Sequence, residues 1–250
     1  MQNEPVSASP PPPFPTARVP WSPAEGLAFL LAFLAVQAAC GFAIGLLGRG
    51  PHDLSLRLAS ADAAIMVIAW LFLKRRAGSA PQACEAIGLR GAAPMRALRR
   101  AAAPVAVGVA ALVWWGVLQA VVLYHFRVPT RPQHQADVVA GLIRSGAWVE
   151  FGLLAFLAVI VAPLAEEVVF RGMAYLPLRA RFGPRPAAIM VSLAFAGIHG
   201  YWPGLGHFFI LALVFTWLVE TTGTLWAPVA AHAAHNAFTI AILLMNALLQ

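Results

Sequence analysis

Three apolar stretches in the second half of the chain carry polar residues that such surroundings should exclude. The first ends Pro163-Leu164-Ala165-Glu166-Glu167-Val168-Val169-Phe170-Arg171-Gly172, and the second Phe195-Ala196-Gly197-Ile198-His199. The third holds His232-Ala233-Ala234-His235-Asn236. A carboxylate, two imidazoles and an amide suit the activation of water against an amide carbonyl. The carboxylate takes a proton from water, one imidazole helps hold that water, and His232 with Asn236 can stabilise the developing oxyanion. The same residues offer an alternative, a Zn²⁺ bound by Glu166, His199 and His232 with one position open to water. The chain has no His-Glu-x-x-His zinc motif and no Gly-x-Ser-x-Gly nucleophile elbow.

Helical geometry separates the two glutamates, because consecutive residues on an α-helix point ~100° apart. Glu167 is i,i+4 from Arg171 and can pair with it along the helix. Glu166 has no local cation and is expected to project into a bundle cavity, where desolvation makes it a usable general base. A structural ion-pair network near the membrane interface is the alternative for both. His232 and Asn236 are also i,i+4, so both can face one site. His235, three residues from His232, is read as structural, His207 as an interfacial residue at a helix start, and His52, His125 and His134 as loop residues. Counted from Arg171, taken as the cytoplasmic end of its span, Glu166 is ~8 Å deep. His232 is ~10 Å from Leu225, whereas His199, ~20 Å beyond Pro186, falls deeper.

The elements that must hold these residues follow from composition. Of 250 residues, 60% are hydrophobic and 11% charged, and the mean hydropathy is +0.76. Soluble domains carry about 25% charged residues, so a water-soluble globule is excluded. Strands of an outer-membrane barrel would alternate polar and apolar residues rather than run continuously apolar. The fold class expected is all-α, a polytopic transmembrane bundle of about seven spans (six to eight). The apolar segments are 25–48, 58–73, 101–124, 148–170, 186–199, 207–222 and 225–248, each near the ~20 residues that cross a bilayer. Three regions are expected: a disordered Pro-rich cytoplasmic tail over 1–24, a three-span region over 25–124, and a catalytic core over 148–248. The loop 125–147 has room for a short helix around Val138–Ile143. Within spans one to three the only notable polar residues are Asp62 and Gln119.

The net charge of +7 resides in clusters between apolar runs, the pattern of cytoplasmic loops rather than of a nucleic-acid surface. Twelve Lys and Arg, Arg171 among them, fall on the side of the N-terminal tail, and five, including Arg57, on the other. The N-terminus is therefore expected in the cytoplasm. Cys40 and Cys84 form no metal-spaced or redox motif. No internal repeat is evident, which disfavours a transporter built from inverted halves.

Glu-Glu-x-x-x-Arg at 166–171, Phe-x-x-x-His at 195–199 and His-x-x-x-Asn at 232–236 together resemble the three motifs of the CPBP (Abi) family, the type II CAAX prenyl endopeptidases and their bacteriocin-processing relatives. Phe170-Arg171-Gly172 and the run Thr222-Gly223-Thr224-Leu225-Trp226-Ala227-Pro228 agree with it as well. The resemblance covers about residues 148–245. It implies an intramembrane endopeptidase in which Glu166 activates water, His199 is its partner on that water, and His232 and Asn236 form the oxyanion site. Glu167 and Arg171 would support the geometry. Some members are labelled metalloproteases; the arrangement without metal is favoured here, since it gives His232 and Asn236 defined roles, with Zn²⁺ the alternative cofactor. The implied partners are membrane lipids and a hydrophobic or lipid-modified peptide, approached from the cytoplasm or laterally. Ala-, Arg- and Pro-rich usage points to the cytoplasmic membrane of a bacterium. The competing readings are a catalytically inactive CPBP-like scaffold and a proton-coupled membrane transporter.

Overall fold

A computed structural model of the chain describes residues 19–47, 53–89, 94–127 and 134–249. Among the described residues every regular element is helical. The helices are α1 (Pro23–Leu47), α2 (Asp53–Ala77), α3 (Ala80–Ala86), α4 (Pro94–His125) and α5 (His134–Arg144). They continue as α6 (Trp148–Phe182), α7 (Pro184–Ile198), α8 (Leu205–Thr222) and α9 (Trp226–Leu248). Six of these regions, α1, α2, α4, α6, α8 with its preceding turn, and α9, are long and apolar enough to cross a membrane. The fifth expected span is the shorter α7, whose 15 residues reach only ~22 Å. The protein is a polytopic helical membrane bundle, within the range read from composition.

Two expected boundaries move, and both matter to the site. The second span starts at Asp53 rather than 58, which takes Arg57 out of the loop assigned to it. The fourth span does not end at 170; α6 runs 35 residues to Phe182, ~52 Å against ~30 Å of hydrocarbon. Arg171 is therefore not a cytoplasmic loop residue, and it is buried in the middle of the bundle. Its charge does not contribute to the loop bias that set the expected orientation. Gly183, at φ +86°, ends α6, and Pro184 opens α7 at a position where its missing N–H costs nothing.

The Pro-rich tail falls mostly outside the described residues, since 1–18 are not among them. At its end Trp21 is buried and donates from Nε1 to Met173 O at 2.9 Å. Ser22 and Glu25 then form a reciprocal cap, Ser22 N–H to Glu25 Oε2 at 2.8 Å and Glu25 N–H to Ser22 Oγ at 3.3 Å. Within the expected loop 74–100, Ser79 caps α3; residues 90–93 lie outside the described set. The helix expected around Val138–Ile143 is the longer α5. His125 ends α4 and His134 opens α5, while His52 lies outside the described residues. Gln119 donates to Pro203 O at 2.5 Å, tying α4 to the turn before α8. Asp62 is buried on α2, and neither of its carboxylate oxygens has a hydrogen-bond partner among the described residues.

Helix α6 is the hub. From Val168 to Leu178 every residue is buried, so α6 is covered on all sides there, as an amphipathic surface helix is not. α1 and α2 pack on one side of it, α7 and α9 on others, and α8 lies against α7 and α4. The α4–α8 contact is close because glycines supply it, as is usual where helices meet in lipid. A Cβ at Gly206 would stand 2.0 Å from Trp115 Cζ2, and one at Gly108 would stand 2.7 Å from Val214 Cγ2. Gly206→Ala is accordingly expected to lower the unfolding temperature in detergent micelles, by overpacking of about 1–3 kcal/mol. Gly45→Ala, whose added Cβ meets nothing within 4 Å, serves as the matched control and should leave the transition in place.

Candidate functional site

Glu166 and Glu167 sit on a short α-helical stretch of α6, Ala162–Glu167, between two π-helical ones, Leu157–Val161 and Val168–Tyr175. π turns inside helices are frequent at functional sites, and here the first has a traceable consequence. Ala162 N–H bonds to Leu157 O, five residues back. Continuing that pattern would bond residue 163 to Ala158 O, but Pro163 has no N–H to give. Asn236 takes the vacant acceptor, donating from Nδ2 to Ala158 O at 2.8 Å. The third motif is thus fastened to the first through a carbonyl freed by proline.

Glu167 makes the second link. Its Oε1 accepts from Arg171 Nη1 at 3.0 Å and lies 3.0 Å from His232 Nδ1. A carboxylate oxygen can only accept, so Nδ1 carries the proton and donates. Arg171 is held in turn by Ala212 O at 3.0 Å. Its guanidinium lies 4.8 Å from the Phe195 ring centroid and 5.2 Å from that of Phe215, within cation–π range. The His232 ring stacks on Phe215 at 4.8 Å and 27°. With Nδ1 committed, Nε2 is left facing Glu166 Oε2 across 3.9 Å, too long for a direct hydrogen bond. That Glu166 oxygen has no hydrogen-bond partner among the described residues.

His199 ends α7. Its Nδ1 donates to Phe195 O at 2.7 Å, and its ring stacks on Phe208 at 4.0 Å. The tautomer this fixes leaves Nε2 as an acceptor. Glu166 and His199 line the same cavity of about 300 Å³, together with Phe33, Leu34, Gln37, Arg57, Leu58 and Ile198. His235 points elsewhere and meets His207, Nε2 to Nε2 at 3.3 Å.

The depth mismatch read from sequence disappears once α6 is extended. Glu166 lies ~24 Å along the helix from Phe182, and His199 ~22 Å beyond Pro184. α9 starts level with Gly172, where a Cβ would lie 3.7 Å from Leu225 Cδ1. From that contact Glu166 lies six residues, ~9 Å, further on and His232 seven residues, ~10 Å.

The structure therefore brings Glu166 and His199 to one cavity, sets His232 beside Glu166, and ties Asn236 to the adjoining backbone. Among the described residues no group of three His, Cys, Asp or Glu side chains is gathered as a metal site. Sequence reasoning missed the Glu167–His232 bond, since residues 65 apart carry no local signal. It also missed the contribution of α1 and α2, where Arg57 in an apolar context was the available clue.

In this all-α membrane bundle Glu166 and His199 thus share one cavity, with His232 beside Glu166. Residues 148–238 match the family model described as type II CAAX prenyl endopeptidase Rce1-like. The matched stretch contains all three motifs. No curated protein and no solved structure matches.

Removing one partner of a buried pair leaves the other charge uncompensated, at about 3–5 kcal/mol. Arg171→Met should therefore cost that much, read as a lowered unfolding transition in micelles. The double variant Glu167→Gln with Arg171→Met should recover most of the loss.

Proposed function

We propose that the chain is an intramembrane endopeptidase that hydrolyses a peptide bond in a hydrophobic or lipid-associated substrate, using water activated by Glu166 and His199. The observation that carries this reading is the shared cavity of Glu166 and His199, with His232 Nε2 3.9 Å from the Glu166 carboxylate. A water between Glu166 and His199 would give one proton to Glu166 while its other hydrogen is held by His199 Nε2. The water oxygen bonds to the carbonyl carbon, and the carbonyl oxygen takes up negative charge. The second N–H of the Asn236 amide is a donor placed to meet that charge, and His232 joins it through Nε2 in its imidazolium form, with both ring nitrogens protonated. Glu166 then passes its proton to the leaving nitrogen as the C–N bond breaks, giving a carboxylic acid and an amine. Glu167 and Arg171 act through His232 and touch no substrate.

The mechanism assigns a role to each polar residue without a cofactor, which supports metal-free chemistry. Lateral approach is supported by Leu34, which lines the cavity and is 42% exposed on α1. The basic loops support a cytoplasmic N-terminus, and the residue usage supports a bacterial cytoplasmic membrane.

In reconstituted vesicles with a library of hydrophobic peptides, Glu166→Gln should lower hydrolysis by about 10²–10⁴-fold while its unfolding transition stays in place. Activity retained by Glu166→Gln would refute the mechanism. Activity should also persist with a chelator; its loss, restored by Zn²⁺, would overturn the metal-free reading.

A further inference from the structure

The cavity has a second charged wall that the hydrolytic scheme does not use. Opposite the α6 and α7 residues it is lined by Gln37 of α1 and Arg57 of α2. Arg57 is the only Lys or Arg among the lining residues, half-buried near the start of α2. A basic residue near a helix end often turns outward to the interface, but this side chain does not. It lies across α1 where Gly41 leaves room, so that a Cβ at Gly41 would stand 3.1 Å from Arg57 Cδ and 3.8 Å from Nη1. Glu166, the carboxylate on the same cavity, meets His232 at 3.9 Å rather than this guanidinium. Phe33, Leu34, Leu58 and Ile198 make the rest of the wall apolar.

We propose that Arg57, assisted by Gln37, is a specificity subsite that binds a carboxylate carried by the peptide substrate close to the scissile bond. This rests on the hydrolytic reading of the same cavity. Arginine presents a planar fork that matches a carboxylate bidentately, and the apolar wall strengthens the pairing by lowering the local dielectric. Glu166 contributes the opposite term. A carboxylate on the substrate is repelled from the Glu166 end and drawn to the Arg57 end, which fixes the direction in which the peptide lies. The cavity has a volume of about 300 Å³. The carboxylate is either an acidic side chain or the free C-terminus of the peptide.

Three peptides of one hydrophobic sequence separate these sources: a C-terminal amide, the free acid, and the amide with one Glu placed after the cleaved bond. Wild-type protein in vesicles should hydrolyse at least one of the carboxylate forms with about tenfold higher kcat/KM than the neutral amide. Whichever form shows the preference names the source. In Arg57→Met that ratio should fall to about one, and in Arg57→Lys it should stay above one. Gly41→Val, which crowds the Arg57 stem without removing its charge, should also reduce the ratio. No preference in wild type, or a preference that survives Arg57→Met, would overturn the proposal. Binding of fluorescent acid and amide peptides to Glu166→Gln protein, with and without Arg57→Met, gives the same comparison without turnover. If no peptide is cleaved, the hydrolytic reading fails, while an acid-over-amide binding preference lost in Arg57→Met would still support the subsite and its absence would refute it.

Discussion

One carboxylate oxygen, Oε1 of Glu167, organises the centre of this protein. It accepts from Arg171 on its own helix and from His232 on α9, each at 3.0 Å, and the Glu167 and Arg171 side chains are both fully buried. A lone charge there would be prohibitive. The pair is tolerable because every neighbour adds something: the Ala212 carbonyl takes a further guanidinium hydrogen, and Phe195 and Phe215 offer ring faces to the cation. Such a pair is weak evidence for stability in itself. Its use here is orientation, since a histidine with Nδ1 committed presents only Nε2, and that nitrogen faces Glu166.

Several features of the fold read as requirements of that interaction. A buried ion pair needs a helix surrounded by protein, and α6 is covered on all sides from Val168 to Leu178. Its flanking π turns and Pro163 free the carbonyl that anchors Asn236. α7 ends at His199, and the ring is locked by Phe195 O and Phe208. Phe195 serves both ends of the site: its carbonyl fixes His199, and its ring lies beside Arg171 and 5.8 Å from His232. The match of residues 148–238 to the Rce1-like endopeptidase family covers all of these elements. The cavity itself is completed from outside that region, by α1 and α2.

What was legible in the sequence was local or periodic. Continuous apolar runs predict the helices, and i,i+4 spacing predicts the Glu167–Arg171 pair, because both depend on neighbours along the chain. The lack of a local cation for Glu166 was equally readable. Contacts between distant segments were not, and the bond from Glu167 to His232 is the main example. The more instructive failure is Arg171. A positive charge after an apolar run reads as the end of a span, yet its partner four residues earlier lets it remain inside. That single misplacement shortened α6 and set Glu166 at the wrong depth, leaving His199 out of register with it. Arg57 was lost in the same way, read as loop because it is charged, while Gly41 on the facing helix makes room for it.

Glu167 fixes His232 with its proton on Nδ1 so that Nε2 faces Glu166. The ¹⁵N spectrum of histidine-labelled protein in micelles tests this directly, with the His232 signals assigned by their loss in His232→Asn. Nδ1 of His232 is expected to be protonated in the wild type, with a redistribution of that proton in Glu167→Leu. An unprotonated Nδ1, or a His232 spectrum indifferent to Glu167→Leu, would contradict it.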